Sequence, residues 1–373
     1  MEKKAGKDMS GGRNAGIDLL RLVSMFYIIL LHSLGQGGLL AAAEEGGPQH
    51  MFAWFLEAFA FGAVDVFALI SGYVSYSGRE KKYDLSNWLM LWLRTAVYGG
   101  SVMLAGKLIL PEAVTKYDFL KTLLPLTNGL YWYFSAYTAL FFSLPFLNAG
   151  IRACPERTLR KVFVVIFLLF SLFDNSARRF HLESGYSFIW LVLLYIMGAA
   201  AKKCGLGKKL PAAVSAAGIV VLSALGWLWM FFGTSFRFFS VNFTRSTFVS
   251  YTSPTVLGAS VLYLFLFSKM RVGPAAGKVI SFAAPGAFAA YILNCHPFIW
   301  QNLMYMRFAH LAESSLPLIF LSVTAFSLIF LAASVTADRI LSLLFKILRV
   351  RRATELISKS AGTAVDRLAG LLR

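Results

Sequence analysis

The chain is poor in charge and nearly without cysteine. Of its 373 residues only 14% are Asp, Glu, Lys or Arg, while 58% are hydrophobic. Mean hydropathy is +0.65. So little charge over such a length argues against a string of soluble domains and against a disordered chain. The three cysteines, Cys154, Cys204 and Cys295, are odd in number and have no CxxC spacing. That excludes a disulfide framework and a zinc-ribbon site. The sequence also lacks a P-loop, an HExxH pair, a G-x-G-x-x-G turn and a G-x-S-x-G elbow. Paired aspartates of the kind that hold a metal-bound nucleotide sugar are missing too, so no metal is expected. Acidic residues are scarcest of all, 18 against 36 basic ones, for a formal net charge of +18.

What the chain does have is long apolar runs. They predict an all-α, polytopic membrane bundle of about ten transmembrane helices, embedded in a lipid bilayer. The expected spans are 17–35, 51–75, 87–110, 129–150, 158–174, 186–201, 211–232, 249–268, 281–305 and 316–345. Alternate connections differ in charge. One set is basic: Arg79 to Lys82, Arg152 to Lys161, Lys202 to Lys209, and Lys269 to Lys278. The other set is acidic or mixed: Glu44 and Glu45, Glu112 to Asp118, Asp174 to Glu183, Arg237 to Arg245, and Glu313. Short basic loops stay in the cytoplasm, so both termini are expected there. The positive charge is thereby read as a topology signal and no nucleic-acid partner is expected. With no eukaryotic targeting feature, a bacterial plasma membrane is the expected location. Residues 1–345 read as the membrane domain. Residues 346–373 alternate basic and apolar positions and read as an amphipathic cytoplasmic tail lying on the anionic leaflet.

The first span, GIDLLRLVSMFYIILLHSL, carries Asp18, Arg21 and His32. Ionisable groups inside a span are costly and point to function. Eleven residues at about 100° each come to about 1100°, roughly 20° past three turns, so Arg21 and His32 share one helix face. They are separated by roughly 16 Å along the axis. Asp18, three residues before Arg21, is placed to pair with it. A snorkelling Arg21 and a packed His32 would satisfy the same spacing.

The Arg, ten residues, then His pattern resembles the first helix of the acyltransferase-3 superfamily of multipass acyltransferases. Three further stretches resemble its motifs. Residues 62–73, GAVDVFALISGY, are similar to its VD-x-F-x-x-x-SG signature. Residues 132–148, WYFSAYTALFFSLPFLN, are similar to its W-Y/F…Y…P-x-L helix, and residues 291–297, YILNCHP, to its late Y-x-x-x-x-H segment.

The resemblance implies transfer of an acyl group, by expectation acetyl from acetyl-CoA in the cytoplasm. The implied acceptor is a carbohydrate hydroxyl of a cell-envelope or exported polysaccharide or its precursor. His32 is the expected general base, since an alcohol is a poor nucleophile and a neutral imidazole removes its proton near neutral pH. Arg21 and Asp65 complete the expected catalytic group, Asp65 by holding Arg21, Arg94 or His32. Arg94 with Arg21 is expected on the acidic donor, because a guanidinium binds phosphate through paired donors. Where the family often has a second arginine in this helix, the chain has Leu91. Trp132 and Tyr133 are expected along the donor arm. Glu57, Tyr137, Asn294 and His296 are expected to meet the acceptor. Two other classes fit the same buried charges: an exporter of a polysaccharide or small anion, though no inverted repeat is visible, and a membrane sensor or scaffold with a degenerate site.

Overall fold

A computed structural model of the protein describes residues 13–79, 84–173, 180–238 and 241–371. The described residues are 77% helical. In order, the main helices are α1 (Ala15–Leu34), α2 (Pro48–Ala60), α3 (Ala63–Ser75), α4 (Leu85–Ile109), α5 (Trp132–Ala153), α6 (Glu156–Val165), α7 (Phe188–Lys203), α8 (Ala212–Phe232), α9 (Pro254–Ser268), α10 (Pro274–Ala283), α11 (Ala287–Asn294), α12 (Leu316–Ile347) and α13 (Val350–Leu371). A small hairpin pairs β1 (Phe236–Phe238) antiparallel with β2 (Val241–Phe243).

Each of the ten expected spans contains helix, and among the described residues seven stretches are long and apolar enough to cross a membrane: Ala15–Ala42, Pro48–Ser75, Leu85–Ile109, Trp132–Ala153, Ala212–Phe232, Pro274–Asn294 and Leu316–Ile347. The other three are shorter. Helix α6 passes into a π turn at Ile166–Phe170, and α9 has 15 residues. Helix α7 has 16 residues, about 24 Å at 1.5 Å per residue against a hydrocarbon core of about 30 Å. Its surroundings explain the shortfall. Trp190, Leu191, Leu194, Tyr195, Met197 and Ala199 to Ala201 are all buried in protein, so its length is not matched to lipid.

Helix α7 sits against α3 at very close range. A Cβ on Gly72 would lie 1.9 Å from the Tyr195 carbonyl oxygen, and one on Gly198 would lie 2.0 Å from that of Leu69. Small residues let membrane helices meet backbone to backbone. The glycine of the SG signature therefore sets a helix spacing here.

The two sets of loops gather at opposite ends of the bundle. At one end, Asn14 caps α1 by accepting from the Gly16 and Ile17 amides, and its Nδ2 donates to the Ser268 carbonyl at 3.0 Å. Lys269 Nζ donates to the Gly207 carbonyl at 3.0 Å, and Lys202 lies 5.2 Å from the Tyr73 ring centre. Lys203 Nζ donates to the carbonyls of Ile151, Arg152 and Cys154 at 2.9, 2.9 and 2.7 Å. At the other end, the Met306 amide donates to Gln36 O at 3.0 Å. Gln49 Nε2 donates to Ser314 O at 3.2 Å and Trp227 Nε1 to Met51 O at 2.8 Å. The basic connections thus share one face of the bundle with the start of α1. Residues 80–82 of the basic 79–82 stretch, and 174–179 of the 174–183 connection, lie outside the described residues.

Two predictions arise from these ends. In a cysteine-free background, Glu44→Cys is expected to react with an impermeant thiol reagent on intact cells, and Lys208→Cys only after permeabilisation. The opposite pattern would reverse the orientation. Lys203→Met is expected to lower stability by about 1–3 kcal/mol, because it strips the ammonium from the last carbonyls of α5. Thermal unfolding in detergent measures it, and an unchanged Tm would show that water replaces the ammonium.

Helix α12 is capped by Leu348, and Arg349 adopts φ +51°, so the chain turns sharply into α13. The start of α13 is tied to α4, with Arg351 3.8 Å from Asp84 and 3.3 Å from Asn87. Beyond that, Leu356, Ile357, Val365 and Leu371 are exposed.

Candidate active site

The bundle holds a large cavity of about 740 Å³. That lies within the range of small-molecule and cofactor pockets. Helix α1 contributes Arg21, Ile28 and His32 to its wall. The one-face arithmetic therefore holds: a guanidinium and an imidazole look into the same space about three turns apart.

Arg21 Nη1 bonds to Asp18 Oδ1 at 3.1 Å, and Arg13 binds the same carboxylate. The Asp18 side chain is 4% exposed and that of Arg21 27%. Two guanidiniums share one carboxylate, so this end of the cavity keeps a surplus positive charge. At the other end, His32 Nδ1 is hydrogen-bonded to Asn294 Oδ1. The Trp300 ring meets His32 edge to face, with centres 4.7 Å apart at 80°.

Between these ends the wall is aromatic. Trp132, Tyr133 and Tyr137 of α5 all line the cavity and so face the interior of the bundle. Trp132 packs on Tyr186 at 4.7 Å, Tyr186 on Tyr251 at 5.1 Å, and Tyr133 on Tyr291 at 5.9 Å. The Tyr291 hydroxyl accepts from the Tyr133 amide at 3.2 Å. Ser71 is also on the wall, with its hydroxyl donating to Phe67 O in its own helix at 2.9 Å.

Five expected site residues do not line the cavity. Asp65 is fully buried and holds none of Arg21, Arg94 or His32; its Oδ1 accepts from Trp190 Nε1 at 2.9 Å, which fixes α3 to α7. Arg94 is committed to α12, bonding to Asp338 at 2.6 Å and Ser342 at 3.0 Å and stacking over Phe345 at 5.6 Å. Asp338 also binds Arg339 at 2.6 Å and the Tyr98 hydroxyl at 2.8 Å. Arg94 is thus a structural ion-pair partner here, and the α4 residue on the wall is Leu91. Glu57 is buried beside Gly35 at the end of α1. His296 is buried and caps the turn that follows, its Nδ1 accepting from the Phe298 amide at 3.2 Å. Asn294 is fully buried behind the wall and reaches the cavity only through His32.

The sequence reading did not single out Tyr186, Tyr251, Trp300 and Gln301, which complete the wall. Tyr186 and Tyr251 stand in connections just before α7 and α9, and Trp300 begins a π turn. Periodicity carries no signal at such positions. Only the density of aromatic residues near Tyr186 and Tyr251 hinted at them.

A family model described as an acyltransferase domain matches residues 14–336. The match takes in every element of the cavity described above. Comparison with curated proteins and with solved structures gives no match. The match covers most of a helical membrane chain in which the matched Arg21 and His32 open on one cavity, and the protein belongs to the acyltransferase-3 superfamily as an integral membrane acyltransferase.

Proposed function

We propose that the protein transfers an acetyl group from cytoplasmic acetyl-CoA to a carbohydrate hydroxyl of the cell envelope or of an exported polysaccharide. One observation carries the reading: Arg21 and His32 face a single cavity about 16 Å apart along α1. In an acyl-CoA, about thirteen bonds separate the thioester sulfur from the nearest phosphorus, and an extended chain advances ~1.2 Å per bond, or ~16 Å in all. A donor whose pyrophosphate meets Arg21 therefore presents its thioester at His32. The aromatic wall supplies faces for the pantetheine arm and for the C–H faces of a sugar. Leu91 leaves Arg21 as the cation for the donor on this wall.

His32 takes the proton of the acceptor hydroxyl as its oxygen attacks the thioester carbon. The carbon–sulfur bond breaks, and the departing thiolate receives the proton from the imidazolium. Purified protein with labelled acetyl-CoA and a panel of glycosides tests the reading. The expected result is label on a sugar oxygen, absent with His32→Ala. Glycoside uptake into vesicles without acetyl-CoA, and no acetyl transfer, would favour the exporter instead.

A further inference from the structure

We infer that Asn294 is a positioning residue that fixes His32 in one tautomer, with the proton on Nδ1 and the lone pair on Nε2 toward the cavity. This rests on the proposed role of His32 as base. The observation is the bond between His32 Nδ1 and Asn294 Oδ1, made from behind the wall by a residue with no exposed surface. Which way the Asn294 amide points decides the tautomer. Its other end settles that. Asn294 Nδ2 lies 3.9 Å from Met304 Sδ. A thioether accepts weakly and donates nothing, so it suits the NH₂ and not the carbonyl oxygen. The carbonyl therefore faces His32, and only an Nδ1–H can donate to it. The ring nitrogen left free is Nε2, on the opposite side of the imidazole.

The surroundings hold this arrangement. Asn294 is the last residue of α11, and the Cys295 amide closes the helix on the Tyr291 carbonyl at 3.0 Å. Trp300, edge-on to His32, limits rotation of the ring. Gln36 Nε2 donates to the Trp300 carbonyl at 3.3 Å, tying the 300–304 turn to the end of α1. The imidazole is thus gripped from two sides by segments more than 260 residues away in sequence. A neutral amide adds no charge to the site. It selects which nitrogen is basic without locking the imidazole in its charged form, as a carboxylate in the same place would tend to do.

Three variants test the assignment by acetyl-CoA turnover against pH. In Asn294→Leu, similar in shape but unable to accept, kcat is expected to fall by about tenfold or more, the scale on which an orienting partner of a catalytic imidazole matters. KM for acetyl-CoA should stay near its parent value. In Asn294→Asp the acceptor is restored with a charge, so activity should return and the acidic limb of the pH profile should move to higher pH. ¹⁵N spectra of histidine-labelled protein, which has five histidines, should show a single Nδ1–H tautomer for the resonance lost in His32→Gln, and a mixture in Asn294→Leu. Normal turnover in Asn294→Leu, or equal losses in both variants with an unmoved pH profile, would overturn the inference. His32→Gln separates the two claims. If it is inactive while Asn294→Leu is active, only the positioning role falls. If it is active, the base assignment falls and this inference with it.

Discussion

His32→Ala and His32→Gln are each expected to turn over about a hundredfold more slowly than the parent enzyme, or worse, the usual worth of a positioned base. Gln is the sharper variant. It keeps a hydrogen-bonding group facing the cavity but cannot take a proton. Binding of coenzyme A and thermal stability should survive in both, because His32 stands on a cavity wall rather than in the packed core. In the parent, an imidazolium cannot accept the proton of the acceptor, so the rate should climb as pH rises through the imidazole titration. Near-normal turnover in His32→Gln would remove the base assignment and leave a packing role. An acetyl group trapped on His32 would keep the residue and change the route to covalent transfer.

Arg21→Gln is expected to raise KM for acetyl-CoA by about ten- to a hundredfold with a much smaller change in kcat. A charged hydrogen bond is worth about 1.5–3 kcal/mol, which converts to that range. A phosphate contact made equally in the bound and transition states affects affinity, not the saturated rate. Arg21→Lys should fall between, since an ammonium keeps the charge but loses the paired donors. Asp18 remains held by Arg13 in either variant, so the end of α1 is not left with a lone buried carboxylate. A loss of kcat with KM unchanged would take Arg21 off the donor and put it at the reacting atoms or in the scaffold.

Much of this site was legible in the first helix alone. The face shared by Arg21 and His32 follows from helical geometry, and Asp18 pairs with Arg21 at the expected spacing. The aromatic run from Trp132 to Tyr137 was read from its motif. What was not legible depends on which helix lies opposite. Arg94 looks like a phosphate ligand until Asp338, 244 positions later, is seen beside it. Asp65 looks like a partner for a cation until Trp190 proves to be its neighbour. Asn294 and His296 stand two apart in one motif, yet one holds the imidazole and the other caps a turn. Hydropathy marks α7 as a helix but says nothing of the protein that surrounds it.

The backbone contact between α3 and α7 has a mechanical consequence. At Gly72 and Gly198 no side chain separates the two helices, and the Asp65–Trp190 bond ties them together further along, so that side of the cavity behaves as a rigid plate. The facing side is jointed. It breaks at Ala284–Gly286, again at Cys295, and again in the π turn from Trp300 to Met304. Interrupted helices have fewer regular hydrogen bonds to resist bending, and π turns kink helices and are frequent at functional sites. The compliance of the chamber is therefore one-sided, and the work of admitting a bulky guest falls on the jointed segments beside Trp300 while the Ser71 side stays still.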